Sequence, residues 1–196
     1  MDGVRALEVC SGESKLTSEL CRRGVQAQGL DVRISLSHDV LLPQLGAEIR
    51  AGIVRGDIRY VHIAVPCNTF SPARYPKLRS TEYPRGLEEV SVKDSGILEY
   101  ANRLTDELLA LAIFGADHGC RISVENPYCS TLWSYDRVLQ LMDRQPVFMN
   151  AVDYCMMGMP YKKPTKFLSV NLQLPSINVR CDGGYYSLPI FYKLML

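Results

Sequence analysis

The sequence lacks most of the features that announce a class. Its seven cysteines, Cys10, Cys21, Cys67, Cys120, Cys129, Cys155 and Cys181, include no Cys-x-x-Cys pair. Its three histidines, His38, His62 and His118, stand far apart. Zinc needs closely spaced ligands, so no metal is expected. An odd cysteine count without paired spacing reads as reduced thiols, which fits an intracellular protein, cytoplasmic or nuclear. The phosphate fingerprint Gly-x-Gly-x-x-Gly is absent, which argues against a bound dinucleotide. The longest apolar run, residues 108–114, is too short to span a bilayer. The start, Met1-Asp2-Gly3-Val4-Arg5, carries no long apolar stretch, so neither a signal peptide nor a membrane partner is expected. Strong charge of one sign is missing too. A formal net charge of +1 does not announce a nucleic-acid binder, although a local basic patch can still make one. No repeat or low-complexity segment stands out.

What remains is an ordinary globular composition, 47% hydrophobic and 22% charged over 196 residues. That is enough for one α/β domain with a real core, taken as residues 1–196. Residues 5–10 read as a first strand and Ser11-Gly12-Glu13-Ser14 as a turn. Residues 16–23 read as a helix, with Ser14 as N-cap and Gly24 beyond its end. Residues 25–32 form a second strand that closes on Asp31. This is an opening βαβ unit. In such units the first loop approaches a cofactor and the acid after the second strand meets ribose hydroxyls. A cofactor with ribose but no phosphate, such as S-adenosylmethionine, suits the residues. A generic turn with a solvated acid fits them equally well.

Residues 34–42 look irregular and residues 44–55 helical, with Leu45, Ile49 and Ile53 at four-residue spacing and Gly56 as a stop. The next strand, residues 58–65, ends at Pro66-Cys67. Proline cannot donate to a central ladder, so Cys67 should stand at a strand's carboxyl end, where open α/β sheets place their sites. The thiol reads as a nucleophile or as one more small apolar residue. Residues 71–84 form a loop in which Arg74, Lys77 and Arg79 interleave with Tyr75 and Tyr83. That mix suits nucleic acid, and a solvated surface loop as well.

Residues 94–118 give the clearest helix, with Ile97, Ala101, Leu104, Leu108, Leu111 and Ala112 on one face and Gly119 as the stop. Residues 121–125 read as a strand broken by Asn126-Pro127-Tyr128, which delivers Glu125 and Asn126 to another strand end. A glutamate there is either paired or functional. Residues 131–144 read as a helix through Leu132, Val138, Leu139 and Met142, with Trp133 packed against it. Residues 147–153 read as a strand, 155–166 as a lysine-bearing loop and 167–171 as the last strand. The tail, residues 172–196, ends in an apolar stretch, 188–196.

Taken in order, these strand ends resemble the catalytic domain of cytosine-C5 DNA methyltransferases. Val9-Cys10-Ser11-Gly12 is similar to that family's cofactor loop, Phe-Ser-Gly with further glycines. Pro66-Cys67-Asn68-Thr69-Phe70-Ser71-Pro72-Ala73 is similar to its Pro-Cys-Gln-x-Phe-Ser-x-Ala nucleophile motif. Glu125-Asn126-Pro127 resembles its Glu-Asn-Val. The run from Asp153-Tyr154 to Gly158-Met159-Pro160-Tyr161-Lys162-Lys163 resembles Asp-Tyr-Gly-Val-Pro-Gln-x-Arg-x-Arg. The match covers most of residues 5–171. Departures are local: Glu13-Ser14-Lys15 replaces the glycines, Pro127 replaces valine, Tyr161 stands for Gln, and Lys163 and Thr165 stand for the two arginines.

The resemblance implies a Rossmann-like, S-adenosylmethionine-dependent methyltransferase fold, mostly parallel, with helices on both faces. It implies Cys67 as nucleophile toward C6 of cytosine, Glu125 on N3 and the exocyclic amine, and Lys163, with Arg74, on the base or its O2. Asn126 and Lys162 would join the substrate side. Cys10, Ser11, Gly12, Asp31 and Pro66 would line the cofactor. Asp39 would stand near adenine, with Asp57 in Gly56-Asp57-Ile58 as the competing acid. DNA is the favoured partner and RNA the alternative. The family's target recognition domain has no counterpart here, so a partner protein that supplies recognition is expected. A catalytically inactive module that binds nucleic acid or protein is the rival from a different class.

Overall fold

The computed structural model describes residues 3–182. Its elements run β1 (Ala6–Val9), α1 (Lys15–Arg22), β2 (Ala27–Leu30), α2 (Pro43–Val54), β3 (Tyr60–Ala64), α3 (Val92–Asp117), β4 (Arg121–Pro127), α4 (Asp136–Met142), β5 (Val147–Asp153) and β6 (Pro164–Val170). Short 3-10 turns lie at Leu36–His38, Thr131–Ser134, Tyr154–Met157 and Pro175–Ile177. The strands build one sheet in the order β2-β1-β3-β4-β6-β5. β2, β1, β3 and β4 run parallel, while β6 is antiparallel to both β4 and β5. The α/β class and the mostly parallel sheet are as the sequence implies. The chain leaves β1 outward to β2 and then crosses back to β3, so a topological switch point opens between β1 and β3.

Side chains alternate across the strands, and the two faces differ sharply in polarity. Leu7, Val9, Val61, Ile63, Ile122 and Val124 are all almost fully buried and join one core cluster with Ile49 and Ile53 of α2 and Leu108, Leu111 and Ala112 of α3. Val138 and Leu141 of α4 complete it. Gly115 lets α3 lie close on this face, because a Cβ there would meet Ile122 Cδ1 at 2.8 Å. The other face carries Glu8, Tyr60, His62, Ser123 and Glu125. There α1 is tied to β1 by the Thr17 amide and hydroxyl, which both donate to Glu8 Oε2 at 2.7 Å.

Four expectations change. Of the apolar stripe expected on α3, Leu108, Leu111 and Ala112 are core, but Ile97 and Ala101 line a cavity, which Leu104 joins while also packing on the core. At 1.5 Å per residue the helix is about 39 Å long, more than the strands beneath it can cover, so its first half flanks their ends. The helix expected over 131–144 is split, because Tyr135 is extended and fully buried and its ring meets Phe70 edge-on at 5.9 Å. β4 does not stop at Glu125. It continues through Pro127 because β6, which begins earlier than expected, pairs with it there. Ser14 occupies the N-cap position of α1 in a left-handed conformation with no side-chain cap, its hydroxyl turned to Ser11. The apolar stretch 188–196 lies outside the described residues.

His62 is buried on the polar face, with Nδ1 2.7 Å from Ser123 Oγ. Burial pushes its imidazole below the ordinary 6.5, against the pull of Glu125 and Glu8. Below 6.5 the unfolded chain takes up a proton that the folded chain refuses, so this share of stability is whole above 6.5 and lost as pH falls. Urea unfolding should therefore show a lower midpoint at pH 5.5 than at pH 7.5, and His62→Gln should flatten that difference.

Candidate active site

The carboxyl ends of β1, β2 and β3 open onto a cavity of about 840 Å³, within the roughly 300–1,000 Å³ usual for small-molecule pockets. Cys10, Asp31, Asp39, Pro66 and Tyr100 are among its lining residues. β1 delivers a turn in which Cys10 and Gly12 both adopt positive φ, 58° and 57°. That turn brings the Gly12 amide within 2.9 Å of Asp31 Oδ2. Asp31 Oδ1 accepts from the Arg33 amide at 2.9 Å and from Arg33 Nε at 3.2 Å. Burial pushes the Asp31 carboxyl up, but these amides and the guanidinium outweigh it and hold the group below its ordinary value. The loop packs directly on β2: a Cβ at Gly29 would collide with Ser14 Oγ.

Asp39 lies at the same cavity, its Oδ1 accepting from the Leu41 amide at 2.9 Å. Asp57 is instead paired with Arg55 at 2.8 Å, beyond the end of α2, and is not among the lining residues. Ser11 is buried against Leu30, to whose carbonyl its amide donates at 3.1 Å. Leu30, Val32, Val40, Ile97 and Leu104 give the cavity apolar walls, with Asp31 and Asp39 beside them. That combination suits a flat ring held between apolar surfaces with hydroxyls meeting carboxylates.

A second group of side chains gathers at the ends of β3 and β4. The last registered pair is Ala64 and Glu125. Beyond it the Asn126 amide donates to the Val65 carbonyl at 2.7 Å. Pro66 then ends the strand, and the Cys67 carbonyl accepts from the Phe70 and Ser71 amides at 3.0 and 2.8 Å. Phe70 anchors this turn from below: it is 1% exposed, with the Arg79 guanidinium 4.0 Å over its ring. Cys67 itself stays half-buried.

Glu125 Oε1 accepts from Lys163 Nζ at 3.1 Å and from Tyr154 OH at 3.3 Å. Lys163 Nζ also sits 4.9 Å from the Tyr154 ring centroid. Burial pushes Lys163 down, but Glu125, Tyr154 and Cys67 together hold it above its ordinary value. It is therefore an ammonium at neutral pH, and the Cys67 thiol lies within its field. A carboxylate, an ammonium and a phenol are thus fixed on one another beside a partly open thiol.

Other expected residues stand elsewhere. Asn126, expected on the substrate side, is 2% exposed and holds the β3 end; its Oδ1 has no partner. Arg74 pairs with Asp94 at 2.9 Å near the start of α3 and lines the cavity rather than meeting Glu125. Lys162 turns toward Asp153, 4.0 Å away. Thr165, standing for a family arginine, is fully buried within β6. Sequence reasoning gives Tyr154 no role, though it belongs to the Asp153-Tyr154 pair; nothing local signals that its hydroxyl reaches a residue 29 positions away. Among the described residues no group of three His, Cys, Asp or Glu side chains is placed to hold a metal ion, and no helix is long and apolar enough to cross a membrane.

No protein-family model matches the chain, and no curated protein matches it either. Among solved structures it is similar to the crystal structure of the S. pombe Dnmt2 methyltransferase, with a TM-score of 0.47 and 11% sequence identity. That match covers 87% of this chain and 51% of the other, so the chain spans about half of that protein's length.

Removing the Asn126 amide leaves the buried Val65 carbonyl without its donor, which costs about 1–3 kcal/mol. Asn126→Ala should lower the urea midpoint accordingly and speed alkylation of Cys67 as the turn loosens. The Cys10 thiol behaves oppositely. Burial, then the charges of Asp31 and Asp39, push it up to about 12. At pH 8.5 iodoacetamide should modify the exposed Cys21 and Cys129 well before Cys10, as read by peptide mass spectrometry.

Proposed function

We propose that this chain is an S-adenosylmethionine-dependent methyltransferase that acts on C5 of cytosine in DNA through a covalent Cys67 adduct at C6. The observation that carries this reading is the juxtaposition of strand ends. One presents a half-buried thiol, its neighbour presents Glu125 fixed by Lys163 and Tyr154, and a ribose-suited cavity opens alongside.

C5 of cytosine is a weak nucleophile. Addition of the Cys67 thiolate to C6 shifts the C5–C6 electron pair toward C5 and makes it enamine-like. S-adenosylmethionine, when bound, supplies an electrophilic methyl group that C5 can take. A base then removes the C5 proton, the C5–C6 double bond re-forms and the thiolate leaves. Glu125 holds the exocyclic amine and N3 as charge develops on the ring. Lys163 offers an ammonium to the ring's O2. A lysine there keeps the charge but lacks an arginine's fork, so the base is held by a point contact.

On the cofactor side, Asp31 and Asp39 would meet ribose and adenine, with the Cys10-Ser11-Gly12 turn and Pro66 against the methionine portion. Arg74, tied to Asp94 of α3, would close the cavity. The reacting base must leave a duplex stack or come from a single strand. RNA as substrate follows the same chemistry, and a partner protein would supply the sequence reading. The inactive-module reading draws on one specific feature: Glu13-Ser14-Lys15 stands where the family has glycines.

The test uses labelled S-adenosylmethionine with DNA or RNA that contains 5-fluorocytosine, from which fluorine cannot leave as a cation. The wild-type chain should form an adduct that survives denaturing electrophoresis, and Cys67→Ala should form none. Glu125→Gln should slow methyl transfer to ordinary cytosine by roughly 100-fold or more. Cofactor binding by calorimetry without any adduct rejects C5 chemistry. Absence of cofactor binding leaves the inactive module standing.

A further inference from the structure

A basic and aromatic strip runs outward from Glu125, and the chemistry above does not use it. Lys162 and Arg180 converge on one carboxylate, Asp153, at 4.0 and 3.0 Å. Asp153 is itself fully buried, and the Cys181 amide also donates to it at 2.7 Å. Arg180 continues onto the ring of Tyr128, its guanidinium carbon 4.2 Å from the centroid. Lys166 Nζ lies 4.8 Å from the same ring and 5.3 Å from the ring of Trp133. Trp133 is pinned by donating to the Pro127 carbonyl at 2.8 Å, and the Tyr128 amide donates to the Pro164 carbonyl at 2.9 Å. The strip is thus continuous, and Tyr128 stands three residues after Glu125.

Its cations outnumber the carboxylates that hold them. Several outward cations elsewhere each meet carboxylates directly: Arg50 with Glu107, Arg55 with Asp57, Arg85 with Asp106 and Asp136, and Arg144 with Asp117. In the strip, Lys162 and Arg180 share the one carboxylate of Asp153, while Lys166 lies against the rings of Tyr128 and Trp133. A ring quadrupole fixes a cation's position, by about 0.5–1 kcal/mol at exposed sites, without cancelling its charge. Lys162, Lys163, Lys166 and Arg180 stand against Glu125, Asp153 and Asp182, so a small excess of positive charge remains here. Cations held in place by too few carboxylates to neutralise them all are pre-organised for a polyanion, because little side-chain freedom is left to lose on binding.

We propose that this strip is a docking surface for the phosphodiester backbone of a single-stranded polynucleotide, flanking the base presented to Cys67. The assignment of a nucleic-acid occupant, rather than another polyanion, rests on the function proposed above. A single strand fits because the strip lies at the strand ends beside Glu125, where the reacting base must already be unstacked. Contacts of this kind position a strand without reading its sequence.

The test is run on the full Cys67→Ala chain without cofactor, so that it is independent of catalysis. Binding of short fluorescein-labelled single-stranded DNA and RNA oligonucleotides is followed by anisotropy over a range of KCl concentrations. Lys166→Glu combined with Arg180→Glu should weaken binding roughly tenfold or more, equally for unrelated sequences. The slope of log affinity against log salt should fall by about 0.7 for each phosphate that the strip no longer neutralises. Lys166→Gln alone should show a smaller change in the same direction and leaves the Asp153 partners in place. Arg144→Glu, near the end of α4, should change neither quantity. DNA bound more tightly than RNA, or the reverse, identifies the source of the backbone. Unchanged affinity and slope in strip variants that still melt cooperatively overturn the proposal. So does poly-glutamate that competes as well as the oligonucleotides. A missing fluorocytosine adduct with intact strip-dependent binding would defeat the catalytic reading alone.

Discussion

The carboxyl edge of this sheet depends on how β3 is made to end. A parallel strand that stops at a proline leaves its last carbonyls without ladder partners, and a buried carbonyl without a donor is costly. Here the neighbouring strand supplies the donor from a side chain, Asn126 Nδ2 to Val65 O at 2.7 Å. One bond therefore ends the ladder, sets the direction of Pro66-Cys67 and fixes the distance between the thiol turn and Glu125, which immediately precedes the donor. The Phe70 anchor beneath the turn, held by Arg79 and Tyr135, keeps the other end of the turn from drifting.

Three carboxylates around this edge are each bonded to groups that suit a negative charge. Glu8 takes two bonds from Thr17 and thereby seats α1. Asp31 takes two amides and a guanidinium and thereby shapes the first loop. Glu125 takes an ammonium and a phenol, which keeps a carboxylate in a half-buried place where an unpaired one would be expensive. Cys10 and Cys67 show the same logic for thiols. Cys10, buried beside Asp31 and Asp39, is held protonated. Cys67 stays partly open, within reach of the field of Lys163. Two cysteines at two strand ends thus differ in the charges that stand beside them.

Most of the sheet was legible because strand and helix periods write themselves into the order of apolar residues. The opening βαβ unit, β3 ending at Pro66, and β5 over Val147–Asp153 all lie within a few residues of where the pattern places them. The misplaced parts share a cause, which is that a neighbour distant in sequence overrides the local signal. Pro127 would stop an isolated strand, yet β6 pairs beyond it. The 131–144 helix breaks because Tyr135 is needed in the core against Phe70. The first half of the α3 stripe is apolar because it walls a cavity, and periodicity alone does not distinguish a cavity wall from a core face. Arg74 and Asn126 were singled out by motif. Their partners, Asp94 and the Val65 carbonyl, were not visible until the chain was folded.

The sequence by itself determined the α/β class, the strand that ends at Pro66-Cys67 and the glutamate at a second strand end, because these rest on local rules: a missing N–H, a period of two and the cost of a buried acid. Only the tertiary structure decided what those ends face. It set Ala64 beside Glu125, brought Lys163 and Tyr154 onto that carboxylate across 38 and 29 residues, and put Asp39 rather than Asp57 at the cavity. It also gathered Lys162, Lys166 and Arg180 around Tyr128 and Trp133. Register between strands and the length of the loops between them are properties of the packed sheet, and no short window of sequence contains them.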